Sequence, residues 1–251
     1  MKNVVHSKAA MVVLAVLALL LVVAIVELAW IKWSGSAVPR PDISRQPQTI
    51  GSGAPLTYVV LGDSTAVSQG GDYAQGYATA TAAYLARTHR VAWVNVGVSG
   101  ARAKDVADAQ AKQAVAFKPD VVLVAVGAND VTHVTSSASV RDSLQKTIAQ
   151  LRAANPNVRI VLTGAPDMGA PPRIPQPLRW LAGIRTTQIN KTIAGLADSD
   201  RVVFAPIADQ TGPAFRANHN LFAADRFHPT TDGYKLWIPV LTRAFDQVST
   251  D

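Results

Sequence analysis

Every residue from Ala9 to Val26 is apolar (AAMVVLAVLALLLVVAIV), and after Glu27 the run nearly resumes as LAWIKW. About 20 apolar residues cover a bilayer's hydrocarbon core, so the pattern predicts a spanning helix within residues 1–33. Lys2 and Lys8 precede the run, and Trp30 and Trp33 stand where an interfacial aromatic belt belongs. The alternative is a cleaved signal peptide with Gly35-Ser36-Ala37 as its small-residue site, although such peptides carry a shorter apolar core of about 7–15 residues. Lys32, Arg40 and Arg45 balance the basic residues on the other side, so the positive-inside rule gives no orientation. An N-terminal anchor that doubles as an export signal places the rest of the chain outside the cytoplasm, or secretes it if cleaved. From Val38 to Pro55 the sequence is rich in Pro, Gly, Ser and Gln without apolar period, which reads as a tether. The expected organisation is an anchor over 1–33, a tether over 34–55 and one domain over 56–251.

Within that domain short apolar, β-branched runs alternate with longer helical stretches. Strands are expected at Leu56–Leu61, Val91–Val98, Asp120–Val126, Val158–Thr163 and Val202–Ile207. Helices are expected at Tyr73–Arg90, Arg102–Phe117, Ala138–Ala154, Arg179–Ala197 and Thr230–Val248. Continuous apolar strands separated by helices imply βαβ units and a parallel sheet covered on both faces. The expected fold is a three-layer α/β/α sandwich with a five-stranded parallel sheet of flavodoxin-like type. In such sheets the ligand crevice lies outside the carboxyl ends of the strands.

Composition narrows the chemistry. Hydrophobic residues make up 49% of the chain and charged residues 16%, enough apolar material for a packed core. Cysteine is absent, which excludes disulfides, thiolate metal sites and a cysteine nucleophile. The net charge of +7 raises the question of nucleic acid, but the basic residues are scattered and no binding signature appears. The charge suits an anionic membrane or cell-wall surface instead.

Candidate chemistry gathers at the predicted strand ends. Gly62-Asp63-Ser64 follows the first strand, and Asn95-Val96-Gly97-Val98-Ser99-Gly100 the second. Gly127-Ala128-Asn129-Asp130 follows the third, and Asp225-Arg226-Phe227-His228-Pro229 precedes the last helix. A serine hydroxyl needs a base to become a nucleophile, histidine titrates near working pH, and a carboxylate on its far nitrogen fixes the tautomer. Ser64 alone reads equally as a helix cap, and Asn129 as a turn residue. Asp63 and Asp130 read as loop supports. His133 lies near the Asn129 loop, Asp167 at the rim, and Gly169–Pro177 is a proline-rich loop on the crevice side. Trp180 and Trp237 read as core residues.

Together the four blocks, from about Leu56 to the C-terminus, resemble those of the SGNH hydrolases, the GDSL-like esterase and lipase family. The chain departs from Gly-Asp-Ser-Leu in having Thr65 at the fourth position. The resemblance implies Ser64 as nucleophile, His228 as general base and Asp225 as its orienting carboxylate. It also implies an oxyanion hole from the Ser64 and Gly100 amides and the Asn129 side chain. The expected activity is hydrolysis of a small-molecule, lipid or glycan ester through an acyl-serine intermediate, with neither cofactor nor metal. Alternatives are O-acetyl removal from, or acyl transfer to, cell-surface glycans, and a catalytically dead binding module.

Overall fold

The computed structural model describes residues 2–33, 36–197 and 201–248. Ser34 and Gly35, at the start of the expected tether and cleavage site, lie outside the described residues. Helix α1 (Lys2–Trp33) covers the whole N-terminal apolar run. Its window Ala10–Glu27 has a mean hydropathy of 3.0 and is almost entirely exposed, the length and composition of a membrane-crossing helix or a signal sequence.

The sheet has strands β1 (Gln48–Ile50), β2 (Ala54–Gly62), β3 (His89–Asn95), β4 (Val121–Ala125), β5 (Arg159–Leu162) and β6 (Val202–Phe204). Their spatial order is β1-β3-β2-β4-β5-β6. The last five are the five expected strands, mutually parallel in flavodoxin-like order. The sixth corrects the expectation: Gln48–Ile50, read as tether, pairs antiparallel along the free edge of β3. A three-residue strand in a polar segment carries no period of its own; the exposed β3 edge supplies its partner groups.

The uniformly apolar strands have cores on both faces. Leu56, Tyr58, Val60, Val121, Leu123 and Ala125 point into one buried cluster with α2 (Tyr77–Leu85) and the C-terminal helices. Val59, Leu61, Val122 and Val124 point into the other. That second face is covered by α3 (Ala103–Asp105), a π-helical turn (Val106–Gln110), α4 (Ala111–Val115), α6 (Ser137–Ala154) and α7 (Leu178–Ala194). Short α5 (Ala128–Thr132) starts directly after β4. On the first face lie α8 (Ile207–Ala217), α9 (Thr231–Lys235) and α10 (Ile238–Val248).

The chain leaving β2 turns to the first face through α2, whereas the chain leaving β4 turns to the second through α6. The carboxyl ends of β2 and β4 therefore diverge, and a crevice opens between them.

Candidate active site

Ser64 sits two residues past the end of β2, in a turn that the sequence forces to be tight. A side chain at Gly62 would come within 2.3 Å of the Ala125 carbonyl oxygen, so only glycine lets β2 end this close to β4. The Asp63 amide donates to Ala125 O at 3.1 Å, extending the ladder by one residue. The Asp63 carboxylate then accepts from the Thr65 amide at 2.9 Å and the Thr65 hydroxyl at 2.8 Å, curling the chain back on itself. Burial pushes the Asp63 carboxyl up to about 6, against the pull of those Thr65 hydrogen bonds. Ser64 is left at the crevice mouth with a hydroxyl that caps no helix.

The base comes from the other end of the chain. Residues 222–229 form a closed loop, with a bridge between Phe222 and Pro229 and a 2.8 Å bond from the Ala223 amide to His228 O. Arg226 turns the loop at φ 58°. Asp225 Oδ1 accepts from the Phe227 and His228 amides, each at 3.0 Å, while Oδ2 meets His228 Nδ1 at 2.5 Å. His228 Nε2 lies 2.9 Å from Ser64 Oγ. Burial pushes the Asp225 carboxyl up, but the His228 ring and these amides together outweigh it and hold the group below its ordinary value. A charged Asp225 keeps the proton on Nδ1, which leaves Nε2 free to accept from the serine hydroxyl.

On the opposite wall, Gly127 takes φ 140°, and a side chain there would meet the Ala165 amide nitrogen at 2.7 Å. This turn starts α5 and projects Asn129 and Asp130 in succession. Asn129 Nδ2 donates to Ala101 O at 3.0 Å, and Asp130 Oδ2 accepts from the Ala103 amide at 2.9 Å. Burial raises the Asp130 carboxyl. The two side chains thereby clamp the loop that carries Gly100, whose φ is 88°.

Ser64, Asn129 and His228 line one cavity of about 30 Å³, walled by Met168, Phe215, Phe222 and Trp237. Asp225 stands behind the histidine. Gly100 is exposed and does not line the cavity; it adjoins the carbonyl that Asn129 holds. A second, wider groove of about 560 Å³, of mixed polar and apolar lining, includes Arg179, Trp180, Asp209 and Arg216, and the two spaces share Asp167. Asp167 pairs with Arg216 at 3.2 Å, and a side chain at Gly212 would strike its carboxylate at 2.9 Å.

Residues 60–236 match the model of the GDSL-like lipase/acylhydrolase family. The chain belongs to that family. A GDSL-like esterase of Mycobacterium tuberculosis is 29% identical over 198 residues, which are 77% of this chain and 62% of the relative. The chain thus spans less than two thirds of that curated relative's length. Among solved structures, a lipase from a goat rumen metagenome superposes with a TM-score of 0.62 at 16% identity, covering 75% of this chain and 97% of the other. TesA superposes with a TM-score of 0.62 at 20% identity, covering 76% and 99%. Both share the fold.

In this GDSL-like chain the departure at Thr65 has a physical role: its hydroxyl bonds both Asp63 and, at 3.0 Å, the Tyr77 hydroxyl. Asp63 and Asp130 support loops, as expected. His133 faces outward and rests on the Asn129 carbonyl at 2.9 Å. Trp237 is buried, but Trp180, read as core, is 62% exposed. Its helix buries the opposite stripe, Thr186, Ile189 and Ile193. Sequence reasoning missed Gln110. From the π-helical turn its side chain accepts from the Gly62 amide at 2.8 Å and donates to Gly62 O at 2.9 Å. A π turn adds a residue to a helix without changing its composition, so periodicity gives no sign of it.

Proposed function

We propose that the chain is a membrane-anchored serine esterase that removes a small acyl group from a larger polar alcohol. The observation that carries this reading is the continuous hydrogen-bond line Asp225–His228–Ser64, which ends on the same small cavity as Asn129. Ser64 Oγ attacks the acyl carbon while His228 Nε2 takes its proton. The carbonyl electron pair moves onto oxygen, where the Ser64 and Gly100 amides and the second N–H of Asn129 are its donors. Such donors are each worth about 10²–10³ in rate. Collapse breaks the ester C–O bond, and His228 returns the proton to the departing alkoxide. Water, activated by the same histidine, then frees the acyl group from Ser64.

The size of the apolar cavity, about 30 Å³, supports a short acyl group. The adjoining groove, with Arg179, Asp209 and Arg216, suits a hydroxylated or charged alcohol. The same groove can present a second alcohol to the acyl-serine, which makes acyl transfer to a glycan the alternative. The length and composition of helix α1 support the anchored reading, and a catalytic domain outside the cytoplasm is part of the proposal.

Ser64→Ala should lower turnover of an acetyl aryl ester by about 10³-fold or more and abolish fluorophosphonate labelling, with the circular dichroism spectrum unchanged. Undiminished turnover in that variant would refute the assignment. Acetyl esters should exceed octanoyl esters in kcat/KM, and product analysis with added sugar alcohols separates transfer from hydrolysis.

A further inference from the structure

The direction of β1 determines where the tether leaves the domain. β1 runs antiparallel to β3, with Gln48 beside Trp93 and Ile50 beside Val91. The chain therefore enters β1 from the end where β3 finishes, which is the carboxyl rim that holds Ser64. Just upstream, Arg45 donates to Gly97 O at 3.1 Å, in the loop that follows β3. From Trp33 to Arg45 the chain spans at most about 40 Å. A bilayer that holds α1 is within that distance of the crevice.

The same rim concentrates exposed apolar side chains. Among the described residues beyond α1, the exposed large apolar residues are Val98, Val134, Trp180, Leu181, Ile184 and Leu236. The first five follow the carboxyl ends of β3, β4 or β5 and lie in loops or in the first two turns of α7. Val134 is 71% exposed and holds φ 53°, a region that disfavours a β-branched residue, so packing within the domain does not explain it. Arg185 Nη2 donates to Thr135 O at 2.5 Å and ties the Val134 turn to α7. Along α7 the exposed face changes from Trp180, Leu181 and Ile184 near the rim to Thr187, Gln188 and Lys191 farther away. That gradient runs along the helix axis, as expected of a helix end dipping into an interface. Arg179 and Arg185 belong to the same first turns of α7, and exposed Arg226 to the loop that carries His228, basic residues of the kind that attract anionic headgroups.

We infer that the catalytic rim is a docking surface for the bilayer that holds α1. Val134, Trp180, Leu181 and Ile184 insert at the headgroup boundary, and the crevice takes its esters from the membrane surface. This rests on the anchored-esterase reading above and adds the orientation of the domain and the source of its substrate.

The chain has no cysteine, so single cysteines can carry nitroxides without background. Val134→Cys and Leu181→Cys report the rim; Ala153→Cys, near the end of α6, reports the opposite end. In the full chain reconstituted into phosphatidylcholine–phosphatidylglycerol vesicles, both rim labels should be reached by oxygen in preference to a water-soluble nickel complex. The label at 153 should show the reverse. Equal water accessibility at both ends overturns the inference, as does recovery of the full chain outside the vesicles. Spin–spin broadening at 181 that persists without lipid assigns the patch to a second copy and overturns it too. The double variant Val134→Ser with Leu181→Ser should keep hydrolysis of a soluble acetyl ester within about twofold while losing about tenfold on the same ester displayed on vesicles. An unmodified chain inactive on soluble esters would refute the esterase reading and leave the labelling result standing.

Discussion

At the residue scale two of the buried carboxylates of the site, Asp225 and Asp63, move stability in opposite directions with pH. Asp225 is held below its ordinary value, so its contribution is present above the unfolded pKa near 3.9 and is lost as pH falls through the folded one. Asp63 is raised to about 6, so the folded state holds its proton longer than the unfolded chain does. Between about pH 4 and 6 its contribution falls as pH rises, by on the order of 2–3 kcal/mol. Asp63→Asn keeps an oxygen for both Thr65 donors. Urea denaturation at pH 7 should find it more stable than the parent by about 1–3 kcal/mol, with the gap closing by pH 4.5. Asp225→Asn should lower kcat by about 10³–10⁴-fold, because an amide can donate to Nδ1 and reverse the tautomer. The serine, histidine and aspartate were legible because their types, order and positions at element ends coincide. The pKa of Asp63 was not, because desolvation depends on neighbours that arrive from β4 and α2.

At the element scale, the five parallel strands were legible as unbroken apolar runs, which is how strands buried on both faces read. The parts that escaped are short or interrupted. Helix α8 carries Gly212 and Pro213 in its interior, a pair that reads as a turn, and it persists because Ile207, Thr211 and Phe215 bury one face. The expected helix over Tyr73–Arg90 stops at Leu85, since His89 and Arg90 join β3, and a 3₁₀ turn at Tyr73–Gln75 precedes it. The segment Arg102–Phe117, expected as one helix, is broken by the π turn that delivers Gln110. Replacing Gln110 by leucine leaves the Gly62 amide without that acceptor beneath the serine turn. The expected cost is about 1–3 kcal/mol in chemical denaturation, with reduced turnover at unchanged KM. Stability and kcat equal to the parent would show that the turn holds without the glutamine.

At the scale of the whole molecule, helix α1 was legible from the length of one apolar run, whereas the face of the domain at which the chain enters the sheet was not. That face depends on the direction of a three-residue strand. The full chain should remain with membranes through alkaline carbonate extraction and be released by detergent; release by carbonate would remove the anchor. One distance has a temporal meaning as well as a catalytic one. Ser64 and His228 touch across 164 positions of sequence. A ribosome issues the serine first, then Asn129, and the histidine last of the three. Until the loop that carries His228 closes, the hydroxyl has no proton acceptor. The serine is therefore chemically silent in the unfinished polypeptide, and the order of synthesis serves as its safety catch.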